Sequence, residues 1–323
     1  MSTRTPQPAR RRPAVIAAAA AAAALLAGAS PAAAQAAGAR AVSGGTWGTA
    51  QEVPGIAALN QHGDAQITSL SCASAGNCSA GGVYDGTPTS GQVFVVSQVN
   101  GTWHAAIKVP GTAALNQGGN AEITSVSCGS AGNCSAGGDY RDSSGNFQVF
   151  VASQAHGTWH TAIEVPGTAA LNQDGVAGID SVSCASPGNC SAGGAYTDSS
   201  FHQQAFVVSQ ANGTWHAAIE VPGTAAVNQG ASAAITSVSC TTPGNCSAGG
   251  FYTDSSFHQQ AIVVGQANGT WHTAIKVPGT PALNQGGFAA ITSVSCTTPG
   301  NCSAGGYYQV SSLHLEALVD SET

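Results

Sequence analysis

Charged side chains are scarce in this sequence. Asp, Glu, Lys and Arg make up 7% of the 323 residues, where about 25% is usual. Four of the eight basic residues lie within the first twelve positions, so the remaining chain has four basic against fifteen acidic side chains, a net charge of −11. Because an acidic surface repels phosphate backbones, no nucleic acid partner is expected.

Long hydrophobic runs are also missing. The one extended apolar segment, residues 14–29, is mostly alanine and is shorter than the roughly 18 residues that a membrane span needs. It follows arginines 10–12 and precedes small residues that end in the A-x-A pattern Ala34-Gln35-Ala36, which is the order of a secretory signal peptide. We expect a signal peptide over residues 1–36 and a secreted, extracellular mature chain without a membrane span; a membrane anchor is the alternative.

The sequence has no phosphate-binding loop, calcium loop or Ser-His-Asp order, and no cofactor is expected. Its ten cysteines form five pairs of C-x5-C spacing, which is not a recognised zinc spacing. On an exported chain such pairs indicate disulfides, with metal binding as the alternative. One local bridge per repeat treats all units alike, although sequence leaves the connectivity open. The pairs are Cys72/Cys78, Cys128/Cys134, Cys184/Cys190, Cys240/Cys246 and Cys296/Cys302.

What the chain does contain is a repeat of 56 residues without insertion or deletion. The tryptophans mark it: they are Trp47, Trp103, Trp159, Trp215 and Trp271. A fixed period of this kind predicts a solenoid, a propeller or an array. We expect a short linker over residues 37–43 and five repeats over residues 44–323.

Each repeat has the pattern of a four-stranded antiparallel unit. In the fourth copy, residues 235–240 and 246–252 are predicted to form a hairpin closed by the cysteines. Residues 261–264 are apolar at consecutive positions, as in a strand covered on both faces. Asn268-Gly269 is a hairpin signal, and residues 271–277 follow as a fourth strand. Such a unit is a propeller blade.

The two ends of the repeat region predict a closed ring. Thr323 and Ser43 occupy the same position of the repeat, five periods apart. Residues 46–53 supply a lone fourth strand, and residues 291–319 supply strands one to three. An open solenoid would need atypical capping units, and none is visible. The predicted fold is therefore an all-β, five-bladed β-propeller whose last blade joins both ends of the chain.

The recurring SVSC…GNCSAGG…Y…NGTW pattern resembles that of secreted bacterial repeat proteins, which implies a propeller. Residues 97–103, SQVNGTW, are similar to the Asp-box hairpin of sialidase-type propellers, S-x-D-x-G-x-T-W, but depart by one residue and lack the aspartate. In architecture alone, five blades are also similar to tachylectin-type lectins and five-bladed glycosidases. Asp-boxes are structural hairpins, so the resemblance implies a fold and no activity.

Candidate binding residues recur in the loops that a propeller places on one rim. Aromatic rings beside amides and carboxylates suit neutral sugars, because the ring stacks and the hydroxyls form hydrogen bonds. Five copies would make binding multivalent. The candidates are Tyr84, Tyr140, Tyr196, Tyr252, Tyr308, Asn60, Asn116, Asn172, Asn228, Asn284, Asp142, Asp198 and Asp254. The alternative is structural, with turn-forming Asn and Asp and inward-packing Tyr.

Catalytic carboxylates would break the repeat, and Glu122 and Asp180 do so. They lack a third partner or a nearby basic residue, so hydrolysis is the weaker hypothesis. We predict a monomeric, non-enzymatic module that binds an extracellular glycan, with a structural domain or one that binds a cell-envelope protein as the alternative.

Overall fold

The computed structural model describes residues 45–87, 90–311 and 314–322. The predicted signal peptide and linker lie outside these residues. The chain divides between Ala50 and Gln51. Residues 45–53 form no helix or strand, and the Trp47 side chain is 98% exposed, so the predicted strand over residues 46–53 is not formed.

From Gln51 onward the chain builds five successive antiparallel sheets, each preceded by a four-residue helix. The first repeat contains α1 (Ile56–Leu59), β1 (Ala65–Ser74), β2 (Asn77–Thr87), β3 (Ser90–Val99), β4 (Thr102–Trp103) and β5 (Ile107–Lys108). The second contains α2 (Thr112–Leu115), β6 (Ala121–Ser130), β7 (Asn133–Arg141), β8 (Phe147–Ala155), β9 (Thr158–Trp159) and β10 (Ile163–Glu164).

The remaining repeats follow the same order. The third contains α3 (Thr168–Leu171), β11 (Ala177–Ser186), β12 (Asn189–Thr197), β13 (Gln203–Ala211), β14 (Thr214–Trp215) and β15 (Ile219–Glu220). The fourth contains α4 (Thr224–Val227), β16 (Ala233–Thr242), β17 (Asn245–Thr253), β18 (Gln259–Ala267), β19 (Thr270–Trp271) and β20 (Ile275–Lys276). The fifth contains α5 (Thr280–Leu283), β21 (Ala290–Thr298), β22 (Asn301–Ser311) and β23 (His314–Ser321).

The fold is all-β, with repeated antiparallel sheets of four strand positions, as the sequence predicted. The first three strands of each sheet pair in chain order, and both short strands pair with the third. Among the described residues the fifth sheet has only β21, β22 and β23. No helix in the described part of the chain is long and apolar enough to cross a membrane.

The predicted continuous fourth strand is wrong, because a bulge divides it. Trp271 pairs with Gln266, but Ile275 pairs with Val263. The segment from Trp271 to Ile275 therefore contains one residue more than the segment of β18 that lies opposite. Ala274 N donates instead to Pro222 O of the preceding repeat, at 2.8 Å. The extra residue reverses the side-chain alternation. Trp271 is therefore buried while Ile275 is exposed, although the sequence predicted a shared face.

Neighbouring sheets pack face to face around small residues. Val93 and Val95 of the first sheet lie in one core cluster with Ile123 and Val126 of the second, and the next two interfaces repeat this grouping. The glycine-rich second strands allow the approach: a Cβ added at Gly137 would lie 2.7 Å from Val182 Cγ2. The prediction that these glycines mark close packing between sheets is thus confirmed.

Serine hydroxyls fix the register between sheets. Ser69 Oγ accepts from Val126 N at 2.8 Å, and Ser71 Oγ accepts from Cys128 N at 3.1 Å. The same two bonds, always 57 residues apart, join every later pair of neighbouring sheets. A one-residue slip between sheets would therefore leave buried N–H groups without acceptors.

The structure joins each predicted cysteine pair within its own repeat, and none of the described cysteines is free. In every repeat the two cysteines face each other across the hairpin of the first two strands. A ring this small stabilises the folded state by roughly 2 kcal/mol in the loop-closure model. The bridges are Cys72–Cys78, Cys128–Cys134, Cys184–Cys190, Cys240–Cys246 and Cys296–Cys302.

The second cysteine of each bridge is a core residue. Cys78 and Cys134, which the sequence placed among the candidate site residues as disulfide partners, are 9% and 4% exposed. Cys134 packs in the core cluster between the first two sheets. Because both sulfurs are bridged and buried, Cys78 and Cys134 offer no thiolate to a metal and no surface to a ligand. Their role is structural, and the metal-binding alternative for these pairs is wrong.

Removing one inter-sheet hydroxyl tests the register between sheets. In Ser183→Ala the Cys240 N–H loses its acceptor, which lies 2.9 Å away, and the free energy of unfolding should fall by about 1–3 kcal/mol. Urea unfolding monitored by tryptophan fluorescence measures the change. Ser255→Ala, at an exposed turn position, is the control, and equal effects of the two substitutions would contradict the account.

Candidate functional site

The two predicted sets of loops meet at one rim. From the second repeat onward, the loop after each short helix bonds both to the preceding sheet and to its own sheet. Asn116 Nδ2 donates to Gly91 O of the first sheet at 2.9 Å, and Gly118 N donates to Arg141 O of the second sheet at 2.8 Å. The third, fourth and fifth repeats repeat the asparagine bond. We call the edge formed by these asparagine loops, and by the loops between the second and third strands that they contact, the asparagine rim.

The asparagines act as connectors at this rim. Asn116, Asn172, Asn228 and Asn284 are buried, and Asn60 is half-buried. Asn228 Oδ1 also accepts from Ser232 N at 2.9 Å. Because both ends of this amide already have protein partners, the side chain holds the loop and offers little to a ligand.

The tyrosine rings lie inside the sheets. Tyr84, Tyr140, Tyr196 and Tyr252 are 1–7% exposed, and Tyr308 is half-buried. The first three contact phenylalanine rings of the neighbouring strand at centroid distances of 6.3–6.5 Å. Of the two interpretations that the sequence left open, inward packing describes these four rings, and they present no face for stacking.

Two of the buried phenols lie beside acidic side chains. Tyr140 Oη donates to Glu164 Oε2 at 3.2 Å. Burial raises the pKa of the Tyr140 phenol, and the Glu164 charge raises it further. Burial and Glu220 raise the pKa of Tyr196 in the same way. Both phenols therefore stay protonated at neutral pH and serve as hydrogen-bond donors within the fold.

The three predicted aspartates each close a tight turn after the second strand of their sheet. Asp198 Oδ1 accepts from Ser200 N at 2.8 Å and from His202 N at 3.0 Å, and Gln204 Nε2 donates to Asp198 Oδ2 at 2.9 Å. Asp142 and Asp254 make the same bonds. We call these the aspartate turns.

Partial burial alone would raise the pKa of each turn aspartate. The hydrogen bonds from the turn amides and from the glutamine outweigh that effect and hold the pKa of Asp142, Asp198 and Asp254 below the usual value. These carboxylates are therefore ionised at neutral pH, and their oxygens accept hydrogen bonds within the turns.

Two exposed aromatic residues stand at the tips of these turns, and the sequence argument missed them. Phe201 is 75% exposed with φ 64°, and Phe257 is 79% exposed with φ 61°. Gly145 occupies the same position in the second repeat with φ 88°. The substitution of Phe for Gly at one repeat position is the signal that could have revealed them.

A further aromatic surface lies beside the Phe257 turn. Gln259 forms a parallel bridge with Phe288. Phe288 is 41% exposed and stacks on Tyr307 with ring centroids 5.3 Å apart. The fourth and fifth repeats thus place exposed rings on neighbouring loops of the asparagine rim.

An open cleft of about 420 Å³ lies at the rim between the first two repeats. Polar groups of Thr87, Ser90, Gln92, Lys108 and Asn116 line it. These hydroxyl, amide and ammonium groups can form hydrogen bonds with a ligand.

Glu122 and Asp180, the two acidic departures from the repeat, lie on the first strands of adjacent sheets. Glu122 is the second residue of β6 and lies opposite Asp139 in the strand ladder, and Asp180 is the fourth residue of β11. Burial raises the pKa of Glu122. Within the described residues no group of three or more His, Cys, Asp or Glu side chains could hold a metal ion.

No family model matches the sequence, and no curated protein matches it. Solved structures with partial similarity include a protein of unknown function from Dyadobacter fermentans, at 12% identity and TM-score 0.45, covering 80% of this chain and 76% of that one. The Hadza microbial sialidase Hz136 has 11% identity and TM-score 0.42, with coverage of 80% and 65%. A fucose-specific lectin from Aleuria aurantia has 13% identity and TM-score 0.39, with coverage of 78% and 72%. Similarities at this level assign neither a family nor a function.

The aspartate turns should open in acid. The stabilisation from a carboxylate with a lowered pKa is complete above the unfolded pKa of about 3.9 and is lost as pH falls through the folded pKa. The protection factors of the Ser200 and His202 amides, measured by NMR hydrogen exchange, should therefore drop below about pH 4.

Asp198→Asn provides the matched control, because asparagine keeps an acceptor oxygen but does not titrate in this range. Its turn should lose the pH dependence, while the Asp254 turn of the same molecule retains it. An unchanged acid transition at Ser200 in this variant would rule out Asp198 as its cause.

Proposed function

We propose that the chain is an exported, non-enzymatic module that binds extracellular glycans at the asparagine rim, with Phe201 and Phe257 as stacking residues. The observation that supports this most is the placement of two exposed phenylalanines in a left-handed conformation. An L residue in that region costs roughly 1–2 kcal/mol, and exposure returns none of the stabilisation of a buried ring.

The second repeat indicates that the turn itself does not need an aromatic residue. It keeps the aspartate and its bonds to backbone amides with Gly145 at the tip. The phenylalanines therefore serve something other than folding. Strain at an exposed position is characteristic of functional residues.

Neutral sugars fit the chemistry around these tips. An exposed ring stacks on the apolar face of a sugar, and His202, Gln203 and their copies supply hydrogen-bonding groups beside it. The net charge of −11 after the leader disfavours polyanionic ligands. In this proposal the predicted Tyr, Asn and Asp residues form the frame that holds the tips in place.

The proposal includes a closed, five-bladed propeller. It also includes cleavage of a signal peptide over residues 1–36 and a monomeric, extracellular mature protein. Support comes from the five copies of the 56-residue repeat and from the five disulfides, which fit an oxidising compartment.

A glycan array probed with the purified protein tests the function, and we expect binding to neutral glycans. The double variant Phe201→Gly/Phe257→Gly should lose binding by at least about tenfold, because two weak sites contribute together. Its free energy of unfolding should stay the same or rise by up to about 1 kcal/mol, since glycine removes the left-handed strain.

Two further variants sharpen the result. Gly145→Phe should add a third stacking tip and raise the avidity, whereas Val99→Ala, at an exposed apolar residue that ends β3, should leave binding unchanged. If the protein binds neither neutral nor acidic glycans on the array, the proposal is overturned. Recovery of a cell-envelope protein in that case would favour the protein-binding alternative, and hydrolysis lost in Glu122→Ala or Asp180→Ala would favour an enzyme.

A further inference from the structure

The first and last sheets each leave an apolar face exposed. Ile67 and Leu70 of β1 are 41% and 54% exposed, and Val319 of β23 is 88% exposed. Ala317, two residues before Val319, is also exposed. These four positions recur in every repeat, so their surroundings can be compared directly.

At the internal interfaces the same positions form the cores between sheets. Ala205 and Val207 of the third sheet cluster with Ile235 and Val238 of the fourth, and all four are at most 6% exposed. Ala261 and Val263 meet Ile291 and Val294 at the next interface. The exposed residues on β1 and β23 are therefore the two halves of an interface that the chain builds four times.

The polar groups of the two end faces also match. Ser237 Oγ and Ser239 Oγ of the fourth sheet accept from Val294 N and Cys296 N of the fifth. Their copies in the fifth sheet are Ser293 and Ser295, both exposed. At each internal interface the donors belong to the next repeat. If the first repeat is counted as the one that follows the fifth, the corresponding donors are Leu70 N and Cys72 N.

A second set of donors gives the same register independently. Gln154 Nε2 and Trp159 Nε1 donate to Ser97 Oγ at 3.0 and 3.4 Å. Their copies in the first repeat are Gln98 and Trp103, and Trp103 is half-exposed. Ser321 of β23 lies at the Ser97 position, four periods onward, and has the hydroxyl that these donors require.

We propose that the exposed face of the β21–β23 sheet packs on the exposed face of β1 in the same chain, in the register of the four internal interfaces. Ser293 and Ser295 then accept from Leu70 N and Cys72 N, and Ser321 accepts from Gln98 and Trp103. This is an interaction surface with one partner, the other end of the same polypeptide.

The same chain is favoured over a second copy for two reasons. Neither end carries polar substitutions at the core positions, as the capping unit of an open array would. The two faces are also covalently linked, so their effective concentration exceeds that of separate molecules at ordinary dilution. The inference uses the closed ring of the proposed function but does not depend on glycan binding or on the strand at residues 46–53.

Matched glycine variants test the packing. A Cβ at Gly249 runs into Ile291 of the next sheet, whereas a Cβ at Gly305, its copy in the last sheet, has only Leu318 O nearby, 4.0 Å away. In the proposed arrangement Gly305 faces Ile67 and Leu70. Gly305→Ala should then lower the thermal midpoint of the full chain by at least about 3 °C, as Gly249→Ala does.

Light scattering after size exclusion, at several protein concentrations, separates the possible partners. A monomer in which Gly305→Ala destabilises as Gly249→Ala does supports the proposal. A Gly305→Ala variant with an unchanged thermal midpoint overturns it, and so does an oligomer that Gly305→Ala dissociates. Glycan binding is measured separately, so its failure would not be confused with either result.

Hydrogen exchange on the unmodified protein serves if the alanine variants fail to fold. The Leu70 and Cys72 amides should be as protected as Val126 and Cys128, their copies at the first internal interface. Fast exchange at Leu70 and Cys72 beside slow exchange at Val126 and Cys128 would show an open face and would overturn the proposal.

Discussion

The contact between neighbouring sheets is the constraint on which the rest of the structure depends. A glycine-rich strand lets the next sheet come close, its Ile and Val side chains fill the space, and serine hydroxyls accept from backbone amides that the strand ladder leaves free. A single sheet buries too few apolar side chains to be stable by itself. The stability of the chain therefore comes from repeating the contact between neighbouring sheets. That explains why the period tolerates no insertion: an extra residue would displace both hydroxyls from their amides.

Much of the fold could be predicted because it follows from local patterns. Two cysteines six residues apart with a Pro-Gly-Asn or Ala-Gly-Asn turn between them define a hairpin, and consecutive apolar residues define a doubly covered strand. The bulge in the fourth strand could not be predicted, since strict alternation placed Trp271 and Ile275 on one face. The extra residue is bonded by Pro222 of another repeat, and a partner so distant in sequence leaves no local signal.

The candidate site shows the limit of arguing from recurrence. Tyr and Asn recur in all five repeats, and Asp recurs in three, because these repeats reuse the same ring, connector and turn. A residue that recurs in every unit is explained first by what every unit must do to fold. Phe201 and Phe257 depart from Gly145 at one position, and such departures carry the information about binding. Their left-handed backbone could not be read from the sequence, because few phenylalanines adopt it.

The disulfides have a consequence for how the protein matures. Each one closes a hairpin through residues adjacent in sequence and needs no contact from another repeat. Oxidation can therefore proceed unit by unit, before the later repeats of the chain have folded. A mispaired thiol would have to reach a cysteine at least 50 residues away, whereas the correct partner is six residues away. Maturation should therefore require little shuffling by an isomerase.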